Sequence, residues 1–407
     1  MSTAIASMLV LLILRVLLSF FTVNLVILNY GNQAFISYGN IQSLGQIMQL
    51  LGAFGQNTAL LRKNNNTSKR FFINLKRSIR SVIFFLPISG FISYFIVAFN
   101  PVIDENLRLA NIFLIPGFFL STLLVTLLIS SLSSVGRSSS GQIISLVVGF
   151  IFLVLVYIGP NIGIGEKDII SIYMSSWILV SIFCLLIACA YFSKPVISLF
   201  IKTSFYKGIT RSRVYEGLIL MLMPAASILA IYIIRLILSE HLIVDQVAQW
   251  QIAVMISGLV SFFAGTLMGH IFIPTYVSTN MKVSLVRKSM LIIFLTIFIL
   301  APTVIYTKAV VTILFPSVQN PHILFFQIWL IAEWIRVLNW ILSSTLIANK
   351  KDNAVLCLDW GINITYVAVL FLAAQSLTLL SISIIYVALC LCSFIINITL
   401  SKIYKLV

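Results

Sequence analysis

The chain has 407 residues, of which 60% are hydrophobic and only 9% are charged. Soluble domains carry about 25% charged residues, so this composition excludes a soluble fold and predicts an all-α polytopic membrane protein. A formal net charge of +16 also occurs in nucleic-acid-binding proteins. Here, however, the Lys and Arg residues fall in short gaps between apolar runs, where they set membrane topology and contact anionic lipid headgroups. We therefore expect membrane lipids, and no nucleic acid, among the partners.

Apolar runs of roughly 20 residues, the length that spans a bilayer, follow one another along the whole chain. They predict 12 transmembrane helices in two six-helix lobes, 1–192 and 217–407, joined by a basic cytoplasmic connection at 193–216. The predicted spans are 4–28, 39–61, 81–99, 109–131, 141–159 and 171–192 in the first lobe, and 217–238, 248–270, 289–306, 322–347, 354–373 and 380–400 in the second.

The positions of the basic residues predict the orientation of these spans. If the N-terminus is cytoplasmic, most of the 26 Lys and Arg residues fall in cytoplasmic segments, as the positive-inside rule requires. Both termini are then predicted to be cytoplasmic. The outer loops are all short, which disfavours a membrane enzyme that polymerises or ligates glycans, because such enzymes generally need a sizeable outer loop for their catalytic groups.

The second predicted span carries amide side chains at helical spacing. Gln42, Gln46, Gln49 and Gln56 would form one narrow polar stripe on a helix. Glycines in the same span (Gly39, Gly45, Gly52 and Gly55) provide a small-residue surface on which another helix can pack closely. We interpret this span as a helix that lines a pathway, with Gln42, Gln46 and Gln49 as the candidate substrate contacts.

Two arginines within the spans are further candidates for substrate binding, because an ionisable residue is costly to hold inside a membrane. Arg15 lies near the middle of its span, too deep to reach a headgroup easily. Its guanidinium could hold a phosphate or diphosphate with two parallel hydrogen bonds, or it could be a structural arginine that bonds to carbonyls or a neighbouring helix. Arg235 lies about one turn from the outer end of its span, so substrate contact and snorkelling to the interface explain it equally well.

The remaining intramembrane charges lie in the second lobe. Glu333 and Arg336 are three residues apart on one predicted helix. They are either charges that couple transport to an ion gradient or, as we favour, a structural pair that neutralises itself. Asp359 lies about two turns into its span, near Lys350 and Lys351. It is either a proton or sodium site or, as we favour, an interfacial partner of those lysines. The histidines show no metal-ligand spacing, so we predict no metal site.

Short motifs at the start of the chain resemble a known family. They are Asn29-Tyr-Gly31, Tyr38-Gly-Asn-Ile-Gln42, Gly45-Gln46 and Gly55-Gln56-Asn57. Together with the short loops, the length and the predicted topology, they resemble the bacterial Wzx-type O-antigen (polysaccharide repeat-unit) flippases. That family belongs to the MATE/MOP flippase superfamily, which also includes the MATE exporters and the lipid II flippase. The motifs cover roughly the first 60 residues.

The resemblance implies two six-helix lobes around a central cavity lined by spans 1, 2, 7 and 8, which work by alternating access. It implies a substrate in lipopolysaccharide biosynthesis, an undecaprenyl-diphosphate-linked oligosaccharide, moved from the inner to the outer leaflet of the bacterial inner membrane. A polysaccharide polymerase and a chain-length regulator are then candidate partners. No cofactor is implied, and a gradient of H⁺ or Na⁺ is a candidate driving force. By contrast, a MATE-type drug or cation antiporter usually needs an acid deep in its first lobe, and predicted spans 1 to 6 contain no Asp or Glu.

Overall fold

The computed structural model describes residues 2–53, 82, 86–92, 94, 114–134, 138–165, 168–191, 211–267, 301–316, 318, 320–348 and 351–404. All the regular elements in these ranges are helices. In chain order they are α1 (Ser2–Ala53), α2 (Leu114–Ser134), α3 (Ser138–Ile158), α4 (Ile169–Tyr191), α5 (Arg211–His241), α6 (Val244–Leu267), α7 (Thr307–Leu314), α8 (Ile323–Ala348), α9 (Asp352–Leu372) and α10 (Leu379–Ile403), with short 3-10 helices at Gly159–Ile162 and Ala374–Ser376.

Six helical segments of the described ranges are long and apolar enough to cross a membrane. They are Ile13–Ala53, Ile143–Ile162, Gly217–His241, Ile323–Ser343, Asp352–Leu372 and Leu379–Ile403, and shorter apolar helices cover Leu114–Ser130 and Ile169–Cys184. The protein is therefore a multi-pass membrane protein. Most of predicted spans 81–99 and 289–306 lies outside the described residues, so the count of 12 and the cytoplasmic termini stay predictions.

The chain divides into two compact units, Met1–Ile228 and Leu229–Val407. The division falls within α5, and the sequence-based limits 1–192, 193–216 and 217–407 stay a prediction. The last residues of the predicted connection are helical, because α5 begins at Arg211. Polar residues at the end of an apolar span can continue the helix beyond the hydrocarbon.

Helix α1 contains two membrane crossings, separated at Gly31. Its apolar stretch Ile13–Ala53 has 41 residues and would be about 60 Å long if straight, twice the roughly 30 Å of a hydrocarbon core. Gly31 has φ 81° and ψ 176°, a conformation that is essentially restricted to glycine. The helix after the turn therefore begins before the predicted span start at residue 39. The helix resumes directly after Gly31, and Asn32 and Gln33 lie on a helix although their polarity lowers the local hydropathy.

Neighbouring helices confirm that the chain turns at Gly31. Before the turn, Leu18 lies against Gly149 of α3, where an added Cβ would approach Leu18 to 2.8 Å. After the turn, Gly45 and Gly52 face α2, where an added Cβ would lie 3.0 Å from Phe118 and 3.2 Å from Phe119, respectively. The predicted small-residue surface is thus confirmed for these two glycines. Gly55 lies outside the described residues.

In the second unit, α8 packs against α10 through buried polar side chains. The Asn339 amide donates to the carbonyl of Cys390 over 3.0 Å, and the Asn397 amide donates to Asn339 Oδ1 over 3.4 Å. The hydroxyl of Ser343 donates to Asn397 Oδ1 over 3.4 Å. Polar side chains that bond across two helices stabilise their association in a membrane, where the hydrophobic effect provides little driving force.

Candidate functional site

The predicted glutamine stripe marks the least buried face of the second half of α1. Within residues 34–53, all of which the structure describes, Gln46 is the one exposed residue, and Gln42 and Gln49 are partly exposed. Ile41, one position from Gln42, is only 1% exposed. An amide exposed to hydrocarbon would be costly, so this face is suited to water or to a polar ligand. Gln56 lies outside the described residues.

Arg15 lies in the first half of α1, before the turn, and it interacts with a residue of the second half. Its side chain is partly buried, and its guanidinium interacts electrostatically with the phenols of Tyr38 and Tyr173. An unbroken helix would separate the Cα atoms of Arg15 and Tyr38 by about 35 Å, so the turn at Gly31 brings them together. Tyr38 precedes Gln42 by four residues, which is about one helical turn. Arg15 and Gln42, two of the predicted substrate contacts, are thus each related to Tyr38, and their contact with a substrate stays a prediction.

The two tyrosines belong to a cluster of five aromatic side chains from four helices. Tyr38 stacks on Phe152 of α3 with ring centroids 5.1 Å apart, and it meets Tyr173 of α4 edge to face at 5.5 Å. Phe118 of α2 and Trp177 of α4 lie against Tyr173 at 5.9 Å and 6.4 Å. Aromatic pairs in such geometries add roughly 0.5–1.5 kcal/mol each beyond area burial. The cluster therefore fixes the positions of the two phenols that interact electrostatically with Arg15.

The two tyrosines were not among the predicted site residues. Tyr38 belongs to the motif Tyr38-Gly-Asn-Ile-Gln42, and its position one turn before the stripe was an available signal. Tyr173 lies in an apolar span and more than 130 residues further along the chain. Only the packing of α4 against α1 places it near Arg15. Both phenols are neutral at pH 7, so they can bond to the guanidinium but do not cancel its charge.

Arg235 does not snorkel to an interface. Its side chain is 3% exposed, whereas a snorkelling arginine keeps its head in water. The guanidinium lies over the ring of Trp250, 5.7 Å from the centroid, as a cation–π contact within the second unit. No sequence pattern pairs these two residues, which belong to α5 and α6. A contact between Arg235 and substrate stays a prediction.

Glu333 and Arg336 form the predicted ion pair, with Arg336 Nη2 2.7 Å from Glu333 Oε2. Glu333 is fully buried, and its other carboxylate oxygen accepts a 2.6 Å hydrogen bond from the hydroxyl of Tyr386. Arg336 also donates to the carbonyl of Ser257 over 3.3 Å and lies over the ring of Trp340 at 5.2 Å. The partners of this buried ion pair thus come from α6, α8 and α10. Such contacts across three helices are typical of a structural ion pair.

Asp359 is partly buried in α9. Its backbone carbonyl accepts a 2.7 Å hydrogen bond from the Asn363 amide. The expected pairing with Lys351 is not found within the described ranges, since Lys351 Nζ instead lies 4.5 Å from the ring centroid of Tyr404. Lys350 lies outside those ranges. A role of Asp359 in coupling to an ion gradient stays a prediction. No group of three or more His, Cys, Asp or Glu side chains in the described part of the chain could hold a metal ion.

Comparison with known proteins identifies the fold. No protein family and no curated protein matches the sequence. Among solved structures, a MATE in complex with MaL6 superposes with a TM-score of 0.65 at 11% identity, over 98% of this chain and 95% of that chain. At such identities the similarity shows the fold alone. The chain therefore has the fold of the MATE/MOP superfamily of transporters.

Further solved structures show the same fold in different conformations and with different pockets. A multidrug resistance MATE family transporter of the MOP superfamily matches in its inward-facing conformation, with a TM-score of 0.61, 13% identity and coverage of 97% and 95% of the two chains. A multidrug resistance MATE family transporter in the outward-facing conformation also matches, with a TM-score of 0.58, 11% identity, and coverage of 98% of this chain and 95% of that chain. A MOP superfamily transporter from Pyrococcus furiosus, described by the reverse polarity of its binding pocket, matches with a TM-score of 0.57 and 13% identity. The match covers 98% of this chain and 95% of that chain.

Proposed function

We propose that the protein is a flippase that moves an undecaprenyl-diphosphate-linked oligosaccharide, such as an O-antigen repeat unit, across the bacterial inner membrane. The movement is from the inner to the outer leaflet, by alternating access. One observation carries the proposal. The guanidinium of Arg15 interacts electrostatically with Tyr38, which precedes Gln42 by one helical turn and the exposed Gln46 by about two turns, in the second half of α1, which is otherwise largely buried.

The chemistry of these groups suits each part of such a substrate. A guanidinium fork matches the oxygens of a diphosphate. Amides both donate and accept hydrogen bonds, as sugar hydroxyls do. The lipid tail needs no polar partner, because it can remain in the bilayer. Arg15 and the amides of Gln42 and Gln46 therefore divide the recognition of the head group between diphosphate and sugar.

The charge balance of the first lobe also favours an anionic substrate. Predicted spans 1 to 6 contain Arg15 but no Asp or Glu. A cation moving along the stripe would meet a guanidinium and no carboxylate. The Pyrococcus furiosus neighbour, for which a reverse polarity of the binding pocket suggests a different function, supports the idea that pocket polarity varies within this fold.

A MATE-type drug or cation antiporter is the second candidate. It is favoured by the solved structures of similar fold, which include a multidrug resistance transporter. Overexpression in a drug-sensitive strain lacking its own exporters separates the two. Antiport predicts resistance to cationic drugs together with normal surface polysaccharide in the deletion strain. Flipping predicts no resistance to cationic drugs and a loss of surface polysaccharide in the deletion strain.

The proposal is tested by deletion of the gene and analysis of the lipid-linked glycan that accumulates. An intact repeat unit trapped on the cytoplasmic leaflet is expected. Arg15→Ala should then fail to restore surface polysaccharide although the protein still inserts, because the diphosphate loses its cationic partner. Arg15→Lys, which keeps the charge but not the planar fork, should restore part of it. Normal polysaccharide with Arg15→Ala would exclude Arg15 from the mechanism.

The stripe is tested by a matched pair of variants at positions two residues apart on the same helix. Gln46→Leu removes the exposed amide, whereas Leu44→Gln adds an amide at a position that is 1% exposed. At equal amounts of folded protein, Gln46→Leu should impair transport more, because only this change removes a polar group from the pathway. Equal effects would show that the stripe does not face the substrate.

A further inference from the structure

The two residues before the turn at Gly31 both donate hydrogen bonds to one backbone carbonyl near the C-terminal end of α3. Asn29 Nδ2 donates to the carbonyl of Val156 over 3.4 Å, and the hydroxyl of Tyr30 donates to the same carbonyl over 3.3 Å. Val156 is fully buried and Tyr30 is 6% exposed. The two residues immediately before the turn therefore bind a single backbone oxygen more than 120 residues away.

The sequence explains why this carbonyl is available. In an α-helix the carbonyl of Val156 would accept from the backbone nitrogen four residues later, which is that of Pro160 and carries no hydrogen. The chain continues as the 3-10 helix Gly159–Ile162 and turns at Gly163, which has φ 77°. Pro160 thus removes the carbonyl's usual donor, and Asn29 and Tyr30 supply donors from another helix.

Gly159 makes room for this contact. A Cβ added at Gly159 would collide with the hydroxyl of Tyr30, so any other residue there would displace the tyrosine. Gly159 and Pro160 on one side and Asn29 and Tyr30 on the other form a matched set, which we call the Val156 clamp.

We propose that Asn29 and Tyr30 are positioning residues, which through the Val156 clamp fix the turn at Gly31 and thereby the rotation of the glutamine-bearing half of α1. The rotation matters because Gln46 is exposed, whereas the next residue, Ile47, is 2% exposed. A rotation by one residue, about 100°, would exchange them. The consequence for transport rests on the proposed function, but the positioning itself does not.

Thiol labelling in membranes measures the rotation without measuring transport. In a background without the five native cysteines, Gln46→Cys and Ile47→Cys are labelled separately with a charged maleimide in permeabilised membranes. With the clamp intact, Gln46→Cys should react at least about tenfold faster, because a buried thiol must wait for local opening. With Asn29→Ala and Tyr30→Phe the ratio should fall to about threefold or less. An unchanged ratio overturns the proposal.

Pro160→Ala distinguishes positioning from the mere satisfaction of a carbonyl. Added to Asn29→Ala and Tyr30→Phe, it supplies the missing N–H to Val156 within α3 itself. Positioning predicts that thermal stability recovers while the labelling ratio stays low. Recovery of the ratio as well would overturn the proposal, because the contact would then only satisfy an unpaired oxygen.

Gly159→Ala disrupts the clamp from the other side and keeps the proposal testable if the double variant does not fold. It should lower the labelling ratio in the same way, and an unchanged ratio counts against the clamp. Transport of the lipid-linked glycan is measured in the same variants. A lowered ratio with full transport supports the clamp but contradicts the proposed role of the glutamine stripe, so the two ideas fail separately.

Discussion

Two glutamine-bearing helices of this protein place their amides in opposite environments. In α1, Gln46 is exposed and its neighbours on the stripe are partly exposed. In α6, Gln249 and Gln251 are 8% and 1% exposed, and Gln249 Oε1 accepts a 2.9 Å hydrogen bond from the backbone N–H of His322. Similar glutamine patterns thus give an exposed polar face in the first unit and buried, hydrogen-bonded side chains in the second.

The intramembrane arginines differ in the same way. Arg336 forms an ion pair with Glu333 inside the second unit. Arg15 lies beside two neutral phenols, in a lobe whose predicted spans contain no acid. We therefore expect the polar groups of the second unit to contribute mainly to stability and, under the proposed function, those of the first unit to bind a ligand. The following variants separate these two roles.

The largest effect on stability is expected from breaking the buried ion pair. Arg336→Met leaves the fully buried Glu333 without its cation and should cost roughly 3–5 kcal/mol, seen as a lower melting temperature in detergent. Glu333→Gln combined with Arg336→Met should recover most of the loss, because no charge then remains. Arg15→Gln should lower the melting temperature much less. A wild-type melting temperature for Arg336→Met would show that the pair is not needed.

Glycine packing gives the next largest difference. Gly52→Ala places a methyl 3.2 Å from Phe119 and 3.3 Å from Leu123, and we expect it to cost about 2 kcal/mol through overpacking. The matched control is Gly361→Ala in α9, where an added Cβ meets nothing within 4 Å. That change should stabilise the protein by up to about 1 kcal/mol, because alanine favours the helix. Similar melting temperatures for both variants would contradict the packing of α1 on α2.

A smaller loss is expected at the buried glutamine. Gln249→Leu removes the acceptor of the His322 backbone N–H at the start of α8, and should cost about 1 kcal/mol. Thermal unfolding followed by size-exclusion chromatography measures it. If the protein with Gln249→Leu is as stable as wild type, the bond across α6 and α8 contributes nothing measurable.

The smallest effect on stability is expected at the exposed glutamine. Gln46→Leu should change the free energy of unfolding by less than about 0.5 kcal/mol, because no buried group loses a partner. It should nevertheless reduce flipping, unlike Gln249→Leu, whose remaining folded protein should be active. A stability loss as large as that of Gln249→Leu would show that Gln46 is part of the packed interior.

Much of this could be predicted from the sequence, because membrane helices have strong local signals. Hydropathy located the helices, glutamine spacing located the exposed stripe, and the spacing of Glu333 and Arg336 predicted their pairing. The start of the second span could not be placed, because Asn32 and Gln33 resemble a loop by hydropathy although only Gly31 leaves the helix. Arg235 and Arg15 could not be assigned partners, because Trp250 and Tyr173 come from other helices that only the tertiary packing brings close.

The most direct test of the central claim uses the purified protein reconstituted into liposomes with a fluorescent polyprenyl-diphosphate-linked oligosaccharide in one leaflet. Accessibility of the sugar to a glycosidase added outside measures flipping. We expect flipping by the wild-type protein, its loss with Arg15→Ala, and full activity per folded molecule with Gln249→Leu. Absence of flipping by the wild type, together with cation-driven drug transport in the same liposomes, would contradict the account.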